Sequence, residues 1–547
     1  MTKDNRRINI ICTCILAFLP LVTALVWKIF NMSDGCLLTS EWNDELFYFK
    51  QVEAIIDYGY PLGYYGFNES HALSLSFAAW SPVLVWPWVL LGSIFGWTLT
   101  SVYFYNTFIY MLALFLFALF AKPDVKQTAG ISVWFLAFFL NVRYIYSCMP
   151  EVICFAHLIV FWGLILGFYS GSGTGKKHGR GYLYAAALLS MLMTFMRPYL
   201  ILFLLLPLAI LIVYAEKKKR IFYILGSFVI LGITAFIYYL LNHYLSAEYL
   251  MPFFYTDFIT TFFTDGFGAG VHNFFGTLYY KGSDFLKFMK DAFYIDRAAG
   301  IFFCVFVFMM ILQAAAAVCG RKQLRGSLKG LSKPESGSYD ETAVGDATTR
   351  KKGVWISLLY MLFADLAFLM ALLLMYKLTE GSKHLLTFIM AGTILLIMES
   401  SRGLIFGGLM CACMIYFGAF HAVGNAYDFG IPEVTDESAA RYEYWQQAFA
   451  EGVQLDRTNV PSYDNAIIWE FADDVDGKQV VTDWQMLYAL PSGTGISCCW
   501  EYTDTNFDDI KCRYISAPTG GDIEKLCIES GYRLIGKDER LCVYARY

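Results

Sequence analysis

Apolar runs of about twenty residues recur along the chain to about position 422, separated by short stretches rich in Lys, Arg, Gly or Pro. Some twenty apolar residues is the length a helix needs to cross the hydrocarbon of a bilayer. The runs predict helices near 8–30, 99–121, 127–142, 151–170, 181–196, 199–215, 221–242, 298–318, 354–376, 383–398 and 403–422. After Val423 the pattern changes. AIIWEFA and GISCCW read as strands, DWQMLYAL and DIEKLCIES as helices, and YRLIGKDERLCVYARY as a strand pair around Lys537-Asp538. The expected fold is mainly α: a polytopic membrane helical bundle of about 11 spans, with a small α/β C-terminal domain.

Orientation follows from basic residues in short loops, which favour the cytoplasm. Lys3, Arg6 and Arg7 precede the first helix; Lys176, Lys177 and Arg180 fill a Gly-rich loop; Lys217 to Arg220 form a block; Arg321 to Lys352 spans a polar stretch dense in Lys and Arg. All fall on one side if the N-terminus is cytoplasmic and the C-terminus outside. A full crossing at 72–96 would reverse every later loop, so that apolar segment is read as half-embedded and external, broken at Pro82 and Pro87. The expected organisation is a transmembrane domain over 1–422 and an extracytoplasmic α/β domain over 423–547. Within the first lie an external first loop (31–98), an external, aromatic middle loop (243–297) suited to the membrane interface, and a cytoplasmic linker (319–353). Ile8 to Phe30 is too long for a signal h-region and is read as a retained anchor in a multi-pass plasma-membrane protein.

Composition agrees. The 547 residues are 57% hydrophobic and only 16% charged, with mean hydropathy +0.49, against about 25% charged in soluble chains. The net charge of −5 hides a split: from Val423 onward 22 Asp and Glu face 10 Lys and Arg, while the rest carries 31 Lys and Arg against 24 Asp and Glu. There is no basic, polar domain to bind nucleic acid. Five of the 14 cysteines (Cys498, Cys499, Cys512, Cys527 and Cys542) lie in the tail, an odd number that leaves pairing open.

Asp44-Glu45, in EWNDELFY just after the first span, is the leading candidate for chemistry. A carboxylate at the bilayer surface can take a proton from a hydroxyl or hold a divalent cation; it can also be an ordinary acidic loop. Adjacent helical residues point about 100° apart, so the two should not reach one proton. Glu151 follows Pro150 at a helix start, either as a second site carboxylate or as a first-turn acid favoured by the helix dipole. Arg143, Arg197, Lys377, Lys383 and His384 fall near the external boundary, against the positive-inside bias, and are candidates for a specific partner, with snorkelling to headgroups as the alternative. Asp365 lies inside a span, lining a channel or fixing packing. Asn31-Met32-Ser33 and Asn68-Glu69-Ser70 are N-glycosylation-type triplets.

The strings EWNDELFYFKQVEAIIDYGYPLGYYGFNES, SPVLVWPWVLLGSIFGWTLTSVYFYNTF and RYIYSCMPE resemble the dolichyl-phosphate-mannose mannosyltransferase and aminoarabinose-transferase-like enzymes, membrane glycosyltransferases of the C-type fold. The resemblance covers about the first 200 residues and rests on Asp44-Glu45, Trp80-Ser81-Pro82, Phe95-Gly96 and Glu151. Many of those enzymes carry Lys-Pro-Pro where this chain has Trp80-Ser81-Pro82, so the resemblance leaves the basic contact to the donor either missing or supplied from elsewhere. The resemblance implies a polyprenyl-phosphate sugar as donor and an inverting transfer to a hydroxyl of a glycan, lipid or protein acceptor. Asp44 would be the base or would orient the acceptor, with Glu45 supporting it or helping to hold a cation such as Mg or Mn, and the boundary cations Arg143, Arg197, Lys377, Lys383 and His384 would hold the donor phosphate. Two other readings are a lipid or glycan transporter of the flippase kind, disfavoured by the lack of internal repeats, and an inactive scaffold of surface-polymer assembly.

Overall fold

The structure, a computed structural model, describes residues 3–31, 44–61, 75–76, 80–138, 140–171, 179–247, 255–295, 297–331, 341–376, 382–398, 402–421, 435–453, 466–470, 484–499 and 504–546. Lys377 and the Asn68-Glu69-Ser70 triplet lie outside these. Among the described residues, six helices are long and apolar enough to cross a membrane. They belong to α1 (Lys3–Asn31), α4 (Ser101–Ala121), α7 (Glu151–Gly171), α10 (Arg220–Leu245), α13 (Arg297–Leu331) and α14 (Glu341–Met375). Shorter helices fill the bundle: α5 (Val125–Ala137), α8 (Arg180–Met196), α9 (Ile201–Val213), α15 (Leu385–Met398) and α16 (Gly403–His421). Each expected span has a helical counterpart.

Three segments differ in detail. The expected 127–142 helix is two pieces, α5 and the short, buried α6 (Leu140–Ile145). Asp124 and Gln127 form a capping box that fixes the start of α5. Much of the expected 319–353 linker is helix, since α13 continues to Leu331 and α14 begins at Glu341. In the half-embedded segment, a 3₁₀ turn (Pro82–Val85) leads into α3 (Trp86–Phe95). Fourteen helical residues rise about 23 Å, short of a roughly 30 Å hydrocarbon core.

The bundle is apolar on both its inner and outer faces, as lipid requires. Phe222, Phe228 and Ile221 of α10 point outward, and Thr234 is that helix's one buried residue among those described. The axis of the bundle is α7, enclosed by protein along nearly its whole length and packed on α4, α8, α14 and α15. Gly163 allows α7 to lie against the α4 backbone: a Cβ there would sit 2.9 Å from the Phe117 Cα. Small residues bring membrane helices together this way.

The first and middle loops form α2 (Asp44–Tyr58), α11 (Asp257–Thr264) and α12 (Phe267–Ile295). The C-terminal part holds α17 (Asp436–Gly452), α18 (Trp484–Ala489), α19 (Asp522–Glu529) and one five-stranded sheet. Its strands are β1 (Ala466–Glu470), β2 (Gly495–Cys499), β3 (Tyr514–Pro518), β4 (Arg533–Lys537) and β5 (Leu541–Ala545), in the order β2-β1-β3-β5-β4. β1 is parallel to β2 and β3, whereas β5 is antiparallel to β3 and β4. β3 and α17 are additions to the expected elements. Cys512, Cys527 and Cys542 are buried together around β3 and β5.

Candidate active site

The N-terminal ends of α2, α7 and α15 and the turn joining α8 to α9 meet at one end of the bundle. Each contributes a charge. Pro150 precedes α7 and puts Glu151 in its first turn. Arg197 ends α8 in an extended conformation (φ −145°, ψ 123°), as a residue before proline must, and Pro198 opens the next turn. A 3₁₀ turn, Ser382–His384, delivers Lys383 and His384 at the head of α15.

The deepest layer is Glu151 and Arg197. Arg197 Nη2 donates to Glu151 Oε1 at 2.7 Å, with both side chains at most 1% exposed. Arg197 Nη1 donates to Tyr199 Oη at 3.1 Å and to His384 Nδ1 at 3.0 Å. His384 is therefore neutral with its proton on Nε2. Burial, then the Arg197 and Lys383 charges, hold its imidazole well below the usual range. Trp80 closes the cluster: the guanidinium lies 5.4 Å from its ring centroid and the His384 ring meets it edge-on at 5.2 Å. Glu151 Oε2, Arg197 Nε and His384 Nε2 have no hydrogen-bond partner among the described residues.

Above this layer stands α2. Asp44 Oδ2 accepts from Lys383 Nζ, with both side chains about one-quarter exposed. Glu45, the next residue, turns away and takes Arg143 Nη2 at 3.1 Å, with both groups buried. The two neighbouring carboxylates thus serve different cations, as a helix dictates. Tyr48, one turn on from Asp44, is buried within the fields of Asp44, Arg197 and Glu151; burial, then the Asp44 charge, push its hydroxyl well above the usual phenol range.

Arg143 owes its position to Asn106, whose Nδ2 donates to the carbonyls of Tyr144 (3.1 Å), Ile145 (3.1 Å) and Ser147 (2.9 Å). Asn106 Oδ1 accepts Trp88 Nε1 at 2.7 Å. One buried amide thus satisfies the open carbonyls where α6 ends. It fixes the turn between Arg143 and Glu151.

Of the candidates named from sequence, Asp44, Glu151, Arg197, Lys383 and His384 come together. Glu45 and Arg143 form a separate pair, and Asp365 lies buried in mid-α14 beside Gln313 of α13. Tyr48, Tyr199 and Asn106 were missed. The signals for the first two were in the sequence: Tyr48 is four residues from Asp44 on a helix, and Tyr199 follows Arg197-Pro198. Asn106 had none. The acidic pair does not suit a divalent cation as arranged, because its carboxylates diverge onto Lys383 and Arg143. No group of three or more His, Cys, Asp or Glu gathers for a metal among the described residues.

No protein-family model and no curated protein matches the sequence. Among solved structures, the chain is similar to ArnT from Cupriavidus metallidurans bound to undecaprenyl phosphate, at 12% identity and TM-score 0.41 over 96% of this chain and 97% of that one. It is also similar to the oligosaccharyltransferase AglB from Archaeoglobus fulgidus in complex with an inhibitory peptide and a dolichol-phosphate, at 11% identity and TM-score 0.45 over 94% of this chain and 69% of that one. Both are C-type membrane glycosyltransferases. These are distant likenesses in chain path.

Proposed function

We propose that this protein is a membrane glycosyltransferase that moves a sugar from a polyprenyl-phosphate carrier to an acceptor hydroxyl at the extracytoplasmic face, in cell-surface glycan assembly or modification. One observation carries the reading: a partly exposed Asp44–Lys383 pair sits at the mouth of a buried Glu151–Arg197–His384 cluster. A base for a hydroxyl and a cation for a phosphate are thereby adjacent, and both are open to solvent. The first-loop resemblance supports the same chemistry.

In the reaction, the acceptor oxygen forms a bond to the anomeric carbon as the bond from that carbon to the phosphate oxygen breaks, its electron pair leaving with the phosphate. Asp44 takes the acceptor proton. Lys383 moves from Asp44 to the phosphate and stabilises the charge that develops there. Arg197, fixed by Glu151 and Tyr199, adds a second positive field from below. A phosphate leaving group departs as an anion and needs no strong acid. The Lys217–Lys219 turn lies at the opposite end of α9 from Arg197, so the positive-inside bias favours an external site.

The test is sugar transfer in proteoliposomes from polyprenyl-phosphate mannose and polyprenyl-phosphate aminoarabinose, comparing the intact protein with Asp44→Asn. Transfer should fall by about 10²–10⁴-fold. Undiminished transfer at equal expression would remove Asp44 from the chemistry, and lipid translocation without transfer would make the protein a transporter.

A further inference from the structure

The C-terminal domain touches α2 at two places, through Lys50 on the face turned away from Asp44 and through Tyr58 at the helix's far end. Lys50 is 2% exposed, and its ammonium donates to the Leu490 carbonyl at 2.5 Å and to Glu53 Oε2 at 3.0 Å. Tyr58 Oη donates to the Ser492 carbonyl at 2.9 Å. Gly493 adopts φ +90°, and a Cβ there would lie 2.7 Å from Tyr58 Oη, so the turn between α18 and β2 lies directly against this helix. The Tyr488 ring meets Phe49 edge-on at 5.6 Å. On its other flank α2 is held by α3 and the short turn after Gly96, where Trp97 stacks on Phe49 at 5.2 Å and donates to its carbonyl at 3.2 Å.

Helical phase gives these contacts meaning. At about 100° per residue, Asp44 and Tyr48 share one face, whereas Lys50 and Glu53 lie roughly opposite. A buried ammonium is costly unless its protons are bonded, and here a carbonyl of a segment 440 residues later supplies the acceptor. We propose that Lys50 is a positioning residue through which the C-terminal domain braces the back of α2 and so fixes where Asp44 stands against Lys383. The mechanical part of this inference is independent of the proposed function; the kinetic part rests on it.

The experiment uses the full chain and three variants: Lys50→Met, Lys50→Arg and Tyr58→Phe. Hydrogen exchange of the α2 amides 48–58 is followed beside that of α7. Lys50→Met should speed α2 exchange at least tenfold and leave α7 unchanged, and Lys50→Arg should restore much of the protection. Tyr58→Phe, which removes one hydroxyl at the same contact, should give a smaller acceleration confined to α2; it decides the matter if Lys50→Met does not fold. In transfer from polyprenyl-phosphate mannose or aminoarabinose, whichever donor the intact protein uses, Lys50→Met should lower kcat at least tenfold with donor KM within twofold. Unchanged α2 exchange in the variants, or loosening of α2 and α7 together, would overturn the brace. Equal loss of kcat and donor affinity would overturn its role in positioning Asp44. If the intact protein transfers neither sugar, the functional reading fails, while the exchange result still decides the brace.

Discussion

Lys383 and Asp44, 339 residues apart in sequence, close an ion pair at the solvent-facing edge of a cluster whose other charges are buried. A partly exposed pair contributes little to stability, typically below about 1 kcal/mol. Its interest lies in what replaces it. In the proposed reaction, a phosphate that binds Lys383 releases Asp44 to take the acceptor proton. Lys383→Met should therefore lower kcat/KM for the donor by about 10²-fold or more. The double variant with Asp44→Asn should be little worse than Asp44→Asn alone, because groups acting as a unit are not additive. Additive losses, measured with saturating acceptor, would separate the two residues.

Glu151 and Arg197 differ from that pair in burial and hence in energetics. Breaking a buried pair strands a charge at a cost of about 3–5 kcal/mol, whereas replacing both members with apolar groups can be neutral. Glu151→Gln and Arg197→Met should each lower the thermal midpoint in a fixed detergent. The double Glu151→Leu/Arg197→Met should recover most of the loss while remaining unable to transfer sugar. Recovery of transfer along with stability would make the pair purely structural.

His384 predicts a pH response. Its native pKa is held below the usual value by burial and by Arg197 and Lys383, whereas in an unfolded chain histidine titrates near about 6.5. Below that pH the unfolded state binds a proton that the native state refuses. The stabilising contribution is therefore complete above about pH 6.5 and declines on acidification by up to about 1.4 kcal/mol per pH unit. His384→Asn keeps an acceptor for Arg197 and should remove one proton's share of the acid-side slope in thermal unfolding between pH 7 and 5. An unchanged slope would mean that His384 does not titrate in this way.

Asn106 gives a sharper contrast, since its three bonds at the end of α6 are donated. Asn106→Asp keeps the acceptor for Trp88 and loses every donor, so it should destabilise about as much as Asn106→Leu. Each stranded carbonyl costs about 1–3 kcal/mol. Thermal midpoints of the two variants against the intact protein decide this. A mild Asn106→Asp would point to the Trp88 bond as the important one.

Cys527 and Cys542 are buried in the C-terminal domain, where burial pushes both thiols up to about 12. Thiol reactivity follows the thiolate. Iodoacetamide at pH 8 should modify neither until the domain unfolds, and rapid labelling of the folded protein would contradict the packing around β3.

The spans were legible because bilayer thickness imposes a length on each of them, and the divergence of Asp44 from Glu45 was legible because a helix turns by a fixed angle. Neither inference needs tertiary information. The partners did need it. Nothing near Glu45 points to Arg143 or near Asp44 to Lys383, since both pairs are made by helices remote in sequence. β3 escaped because Tyr514 to Pro518 is short and ends in proline, which argues against a strand; its central place comes from pairing with β1 and β5. Asn106 looked like one polar residue within an apolar span, and its role exists only because the interruption between α6 and α7 folds back beside it.

The outward-facing α10 carries a last consequence. With Thr234 its single buried residue among those described, this helix takes its place from the surrounding lipid more than from the protein. Its far end nevertheless reaches the first loop, where Ser246 bridges Ser76 and Ser76 Oγ donates to the Trp80 carbonyl at 2.9 Å. A 26-residue helix is about 39 Å long and exceeds a roughly 30 Å hydrocarbon slab, an excess met by tilt or by ends that reach the interface. The Ser246–Ser76 bridge therefore couples the placement of α10 in the bilayer to the backbone that carries Trp80.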